Sequence, residues 1–229
     1  MARIGLVLSK NPSYGQGHMY RMRALCESLE DLGHSCTYLL PSEEDKDIGP
    51  TSEPPPGYDH LVVDVPDARQ PRGWANATRV AEDGTVTLQS RETLVGLSYA
   101  ILRRGFRETR PDHPPLPNPL AGPARIFLHH CVPIPTMSAD SVKVEFVQIT
   151  KHQKPWEIMA TCVRCITPPS MTALEAACLG LMVTTLPARN MGEAGMQALL
   201  DYAAREPGLF AAVDGLGAER VAQAIHALP

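Results

Sequence analysis

The run Ile4-Gly5-Leu6-Val7-Leu8, followed by Gly15-Gln16-Gly17-His18-Met19-Tyr20-Arg21, decides how the rest of the chain is read. Consecutive apolar residues without alternation suit a strand buried on both faces. After the glycine-rich stretch, Met22, Leu25, Cys26, Leu29 and Leu32 recur at helical spacing, and Gly33 supplies a stop. Residues 36–40 read as a second apolar strand. Strand, glycine turn, helix and strand make a βαβ unit, which points to a parallel sheet with a right-handed crossover. The helix N-terminus of such a unit lies at the C-terminal edge of the sheet, where backbone N–H groups favour anions. His18, on the first helical turn, projects into that crevice as a general base or as a ligand for an anionic group. The spacing equally allows a tight turn that needs glycine, with His18 capping or solvated.

Working outward, residues 60–65 form a third strand, and Asp64 falls at its C-terminal end, where ligand-contacting residues gather in open α/β sheets. Asp64 otherwise caps the following turn. Between these strands lies a proline-bounded acidic stretch, 41–57, read as an exposed loop with a lid over the crevice as the alternative. Two short strands are expected around 75–80 and 85–88. A helix over 98–110 would carry Tyr99, Leu102 and Phe106 on one face, with Arg103, Arg104, Arg107 and Arg110 beside them. Those arginines are solvated, or they form a phosphate-facing patch that suits a nucleic-acid acceptor.

The proline-dense stretch from Pro111 to Pro119 reads as an interdomain linker and divides the chain into domains 1–112 and 113–229. In the second half, strands are expected at 125–128, 142–148, 163–166 and 182–186. Helical segments are expected near 155–160, over 172–179, from 190 to 204 and over 218–227. Ser170-Met171-Thr172-Ala173-Leu174-Glu175 stands at a strand-to-helix junction. Thr172 with Glu175 matches a capping box. The same helix start presents N–H groups to a diphosphate, with Ser170 and Thr172 hydroxyls assisting and Glu175 accepting from ribose hydroxyls.

Composition sets broad bounds. With 44% hydrophobic and 20% charged residues the chain has ordinary globular character. A net charge of −4 provides no overall attraction for nucleic acid or anionic lipid. No apolar run reaches the roughly 18 residues of a membrane span, and nothing resembles a secretory signal peptide, so a cytoplasmic location is expected. The 6 cysteines are scattered, unlike a disulfide framework. Cys162-Val163-Arg164-Cys165 and His129-His130-Cys131 raise zinc, but a strand turns positions i and i+3 to opposite faces, so buried small hydrophobes are the expectation and no metal is expected.

Five blocks in order carry a family likeness: G-Q-G-H-M-Y-R at 15–21, L-V-V-D at 61–64, G-L-S-Y-A-I-L-R-R-G-F-R at 96–107, S-M-T-A-L-E-A-A-C-L-G-L at 170–181 and L-P-A-R-N at 186–190. On these the chain resembles GT-B-like nucleotide-sugar enzymes. The nearest likeness is to the UDP-sugar hydrolase (PseG) family of pseudaminic acid synthesis, and a more distant one is to MurG-type glycosyltransferases. The resemblance implies an α/β fold of two Rossmann-like domains facing a cleft. Where the family has a G-G-x-D loop and a further β-α stretch, this chain has Ile126-Phe127-Leu128-His129-His130-Cys131-Val132-Pro133 and a short segment, so the C-terminal domain is reduced.

The resemblance further implies His18 and Asp64 as catalytic residues. Gly15, Gly17, Ser170, Thr172 and Glu175 would hold the nucleotide diphosphate, and Arg21, Tyr99 and Asn190 the sugar or acceptor. The expected activity is transfer of a sugar from an NDP-sugar, foremost a UDP-sugar, to a hydroxyl acceptor, with no cofactor. That acceptor is a small metabolite, a lipid-linked sugar, a protein or a hydroxylated DNA base. The alternatives are UDP-sugar hydrolysis and non-catalytic sugar-nucleotide binding.

Overall fold

A computed structural model describes residues 1–9, 17–40, 53–65, 74–81, 85–88, 92–115, 123–130, 132, 144–149, 154–168, 170–186 and 209–229. The protein is mixed α/β, with one six-stranded sheet and one four-stranded parallel sheet. It divides into two compact units, Met1–Arg103 with Leu216–Pro229, and Arg104–Gly215.

The first unit begins with β1 (Arg3–Leu8), α1 (Gly17–Asp31), β2 (Ser35–Leu39) and β3 (His60–Asp64). It continues with β4 (Ala77–Val80), β5 (Val86–Leu88), β6 (Glu92–Leu94) and a 3₁₀ turn at Leu97–Tyr99. The sheet order is β2-β1-β3-β4-β5-β6, with the first four strands parallel and the last two antiparallel to their neighbours. Burial of β1 from Ile4 to Leu8 and of all of β3 explains why both read as unbroken apolar runs. Ile4, Leu6 and Leu8 pack with Met22, Leu25 and Leu29 of α1 on one face. Val7, Leu61, Val63, Trp74 and Ala77 form a separate cluster.

Helix α1 ends in a Schellman motif. Gly33 takes φ 84° and donates to the Glu30 carbonyl at 2.9 Å, while His34 donates to Leu29 at 3.1 Å.

The second unit contains α2 (Arg104–Thr109), β7 (Ala124–Leu128), β8 (Val144–Val147), α3 (Pro155–Met159) and β9 (Arg164–Thr167). It continues with α4 (Met171–Cys178), β10 (Met182–Thr185) and α5 (Leu209–Ala212). The parallel order β10-β9-β7-β8 repeats the permutation of β4-β3-β1-β2, so both units place the first strand between the second and the third.

Several expectations change. Residues 98–110 do not form one helix: the 3₁₀ turn is followed by non-helical 100–103, and α2 starts only at Arg104. That interruption is where the chain passes from one unit to the next. The division therefore falls at 103/104, ahead of the proline-rich stretch, whose Pro114 and Pro115 pack beside Gly180 within the second unit. The last helix, α6 (Gly217–His226), belongs to the first unit, where Val221, Ala222 and Ile225 join the core beneath α1. Strand β6 had no sequence signal, being three residues with only Leu94 half-buried. The acidic stretch through 52 and the helix expected over 190–204 lie outside the described residues.

Docking of α6 yields a sharp prediction. A Cβ at Gly217 would collide with the backbone carbonyl of Ala100, and one turn on Arg220 Nη1 donates to Ser98 O at 2.8 Å. Backbone cannot yield as a side-chain tip does. Gly217→Ala is expected to destabilise the protein by about 1–3 kcal/mol, read as a lower urea midpoint.

A second prediction concerns acid. His60 is buried with its Nε2 2.8 Å from Thr78 Oγ1, and burial, with a smaller contribution from His34, lowers its pKa to about 4. The unfolded chain binds this proton near pH 6.5, so the stabilisation is complete above that pH and is lost as pH falls toward 4. The difference is worth about 3 kcal/mol. His60→Gln, which retains a partner for Thr78 and cannot titrate, is expected to flatten this limb in urea titrations between pH 6.5 and 4.

Candidate functional site

In the six-stranded sheet the chain leaves β1 toward β2 on one side and reaches β3 on the other. Crevices at the carboxyl ends of such diverging strands are where open α/β sheets hold ligands. Ser9 follows β1, Asp64 ends β3, and the register pairs Leu8 with Asp64. Gly17 is the first residue of α1, with His18 and Arg21 one turn apart on the same helix face.

Arg21 and Asp64 grip each other through a two-pronged ion pair. Nε lies 2.9 Å from Oδ2 and Nη2 2.8 Å from Oδ1, with both side chains 5% exposed or less. The two residues expected to act on substrate therefore direct these charges at one another. The fork ties the first turns of α1 to the end of β3.

His18 is buried, 7% exposed, and its Nε2 sits 2.9 Å from the Ser9 carbonyl oxygen. A carbonyl only accepts, so Nε2 carries the hydrogen, and in the neutral tautomer that this allows the lone pair is on Nδ1. Nδ1 is shielded from solvent and has no hydrogen-bond partner among the described residues. Leaving a buried acceptor unpaired costs about 1–3 kcal/mol, and such groups call for an explanation. The orienting partner is a backbone atom, which sequence reasoning had no way to find.

In the four-stranded sheet the equivalent edge lies between β7 and β9. His129 N–H donates to Ile166 O at 3.0 Å, and Val132 N–H closes the turn onto His129 O at 2.9 Å. The rings of His129 and His130 stack 4.2 Å apart at 34°. Burial, with His130 adding to it, lowers the His129 pKa to about 4. His130 is exposed.

Across from them Thr167 is fully buried, and Ser170 caps α4 with extended backbone, φ −164° and ψ 175°. The Ser170 hydroxyl donates to Pro168 O at 3.1 Å and lies 3.4 Å from Thr167 Oγ1, so the first turn of α4 has no side-chain cap. The expected capping box is corrected here. Thr172 is the second helical residue, the N-cap is Ser170 and the third helical residue is Ala173. Glu175 lies further in, 2% exposed.

Compared with known proteins, the chain matches no family model and no curated sequence.

Other expected site residues separate. Tyr99 closes the 3₁₀ turn and packs against the first unit's core. Gly15 and Asn190 lie outside the described residues. The arginine cluster divides between the units: Arg103 lies over the Tyr20 ring at 4.6 Å, whereas Arg110 stacks on Phe210 at 3.9 Å and donates to Val213 O at 2.6 Å.

Cys162 precedes β9 with its thiol directed at Ile158 O, 3.6 Å away, and Cys165 is buried within the strand. Burial raises the pKa of both thiols. Among the described residues no three His, Cys, Asp or Glu side chains group as a metal would require, and no helix is long and apolar enough to cross a membrane.

Proposed function

We propose that the protein is a GT-B-like glycosyltransferase that moves a sugar from a nucleoside-diphosphate sugar to an acceptor hydroxyl. The observation that carries this reading is the His18 imidazole, held by Ser9 O so that its basic Nδ1 is preset at the β1/β3 edge. An acceptor hydroxyl supplies the missing donor to Nδ1 and passes its proton there as its oxygen bonds to the anomeric carbon. The bond from that carbon to the diphosphate breaks, and the diphosphate leaves with the electron pair. Since Nδ1 is shielded, the hydroxyl reaches it only as the surrounding chain gives way.

Asp64 acts through Arg21, fixing the helix that carries His18, so it is a positioning residue. The leaving diphosphate binds in the second unit at the start of α4, where first-turn N–H groups and the Thr172 hydroxyl stabilise its charge, joined by the Ser170 hydroxyl once it turns from Pro168 O. The repeated strand order supports this division, since each sheet offers one carboxyl-edge crevice.

The test is nucleoside-diphosphate release from a panel of NDP-sugars, with and without acceptors. Acceptor-dependent release is expected. Equal release without acceptor makes the protein a hydrolase, and binding without release makes it a sugar-nucleotide-binding protein.

A further inference from the structure

Five cysteines among the described residues are free thiols, and two of them, Cys26 and Cys36, meet in the first unit. Cys26 lies on α1, one helical turn after Met22, which packs against β1. On β2 the parallel register sets Cys36 beside Ile4 and Tyr38 beside Leu6. Paired residues of neighbouring strands share a face, and Ile4 and Leu6 face α1. Cys36 and Tyr38 therefore point to the helix, and each forms a side-chain hydrogen bond with the Cys26 sulfur. The Cys26 thiol donates in turn to Glu30 Oε1 at 3.6 Å. Cys26 is 7% exposed, whereas Cys36 is half-buried on an edge strand of the sheet. One thiol is thus open to a small reagent and the other lies directly behind it.

We propose that Cys26 and Cys36 are a reversible oxidation site, a dithiol that a low-molecular-weight disulfide converts to an intrachain disulfide stapling α1 to β2. The Cys36 thiolate attacks one sulfur of the small disulfide, forming a mixed disulfide and releasing the other sulfur as a thiolate. The Cys26 thiolate then attacks Cys36 Sγ, forming the Cys26–Cys36 bond and releasing the second small thiolate. The two thiol protons end on the two small thiols, so the protein loses two electrons and the reagent gains them. Burial raises the pKa of both thiols, that of Cys36 to about 12 with Cys26 adding to it. The reduced form is therefore not held as a thiolate, which favours the disulfide at equilibrium and slows its formation at neutral pH. The site is independent of the proposed transfer chemistry.

The test is equilibration of the full chain with oxidised and reduced glutathione at mildly alkaline pH. Free thiols are then trapped with N-ethylmaleimide in denaturant, and the chain is digested with trypsin and weighed. Residues 24–46 form one tryptic peptide that holds both cysteines. In oxidising buffer this peptide is expected to take up no maleimide, to be lighter by two hydrogens and to stay joined after cleavage at Glu30. Closing a loop of this length is expected to lower the unfolding equilibrium constant of the native chain roughly 100-fold, read by urea titration, and a reducing agent to reverse it. Cys26→Ala is expected to stop at the mixed disulfide of Cys36 with glutathione.

Two maleimide-labelled cysteines in that peptide at every glutathione ratio overturn the inference, because the thiols then do not react. A mixed disulfide that accumulates in the native chain also overturns it, because Cys26 then does not reach Cys36 Sγ. So does an unfolding equilibrium constant that rises on oxidation, since the bond would then be forced on the fold.

Discussion

Asp64→Ala is expected to lower the stability of the protein by about 3–5 kcal/mol. The loss comes from taking both prongs of the Asp64 carboxylate away from the Arg21 guanidinium, which is 3% exposed. Breaking a buried ion pair from one side costs far more than the intact pair contributes. The double variant Arg21→Met with Asp64→Leu is therefore expected to recover most of the loss, because neither charge is then buried.

Urea titrations of the native, single and double variants complete the cycle. The predicted signature is strong non-additivity with an unchanged denaturant slope. Additive losses would mean that the two residues act independently, contrary to the geometry. On the proposed mechanism, recovery of stability is not expected to restore turnover, because α1 is no longer tied by charge to the end of β3.

The second large effect is on turnover. His18→Gln keeps a side-chain N–H for Ser9 O but removes the basic nitrogen. On the proposed mechanism it is expected to reduce acceptor-dependent turnover by roughly 10²–10⁴-fold, the usual worth of a positioned general base. The variant exchanges one unpaired buried acceptor, Nδ1, for another, the amide oxygen, so folding stability is expected to change little. Lost turnover in a fully folded chain separates a chemical role for His18 from a structural one. Turnover reduced only in proportion to lost folding would assign His18 to the core.

Much of the first unit was legible from apolar runs and glycine punctuation. The uninterrupted apolar stretches before Ser9 and Asp64 could only be strands covered on both faces. Gly33 marked the end of α1 because a Schellman motif needs a left-handed residue there.

What stayed hidden is tertiary. The apolar stripe of α6 gave its existence but not that it returns to pack beneath α1. Residues 98–110 have helical spacing, yet the chain spends 100–103 passing between units. His18, Arg21 and Asp64 were visible as chemistry-bearing types at the right edge. That Arg21 and Asp64 would pair was not, because sequence spacing says nothing about contacts across 43 residues. Thr172 and Glu175 match a capping box in spacing, but the helix begins one residue earlier, at Met171, and Ser170 takes the cap.

The measurement that tests the central claim most directly is single-turnover release of nucleoside diphosphate from UDP-sugars. It is run with an acceptor panel on the native chain and on His18→Gln, with the mass of each acceptor read alongside. The account predicts acceptor-dependent release, one sugar gained by the acceptor for each nucleotide released, and loss of both in the variant while binding of UDP persists. Release at the same rate in native and variant chains, or no consumption of any nucleotide sugar by the native chain, would contradict it.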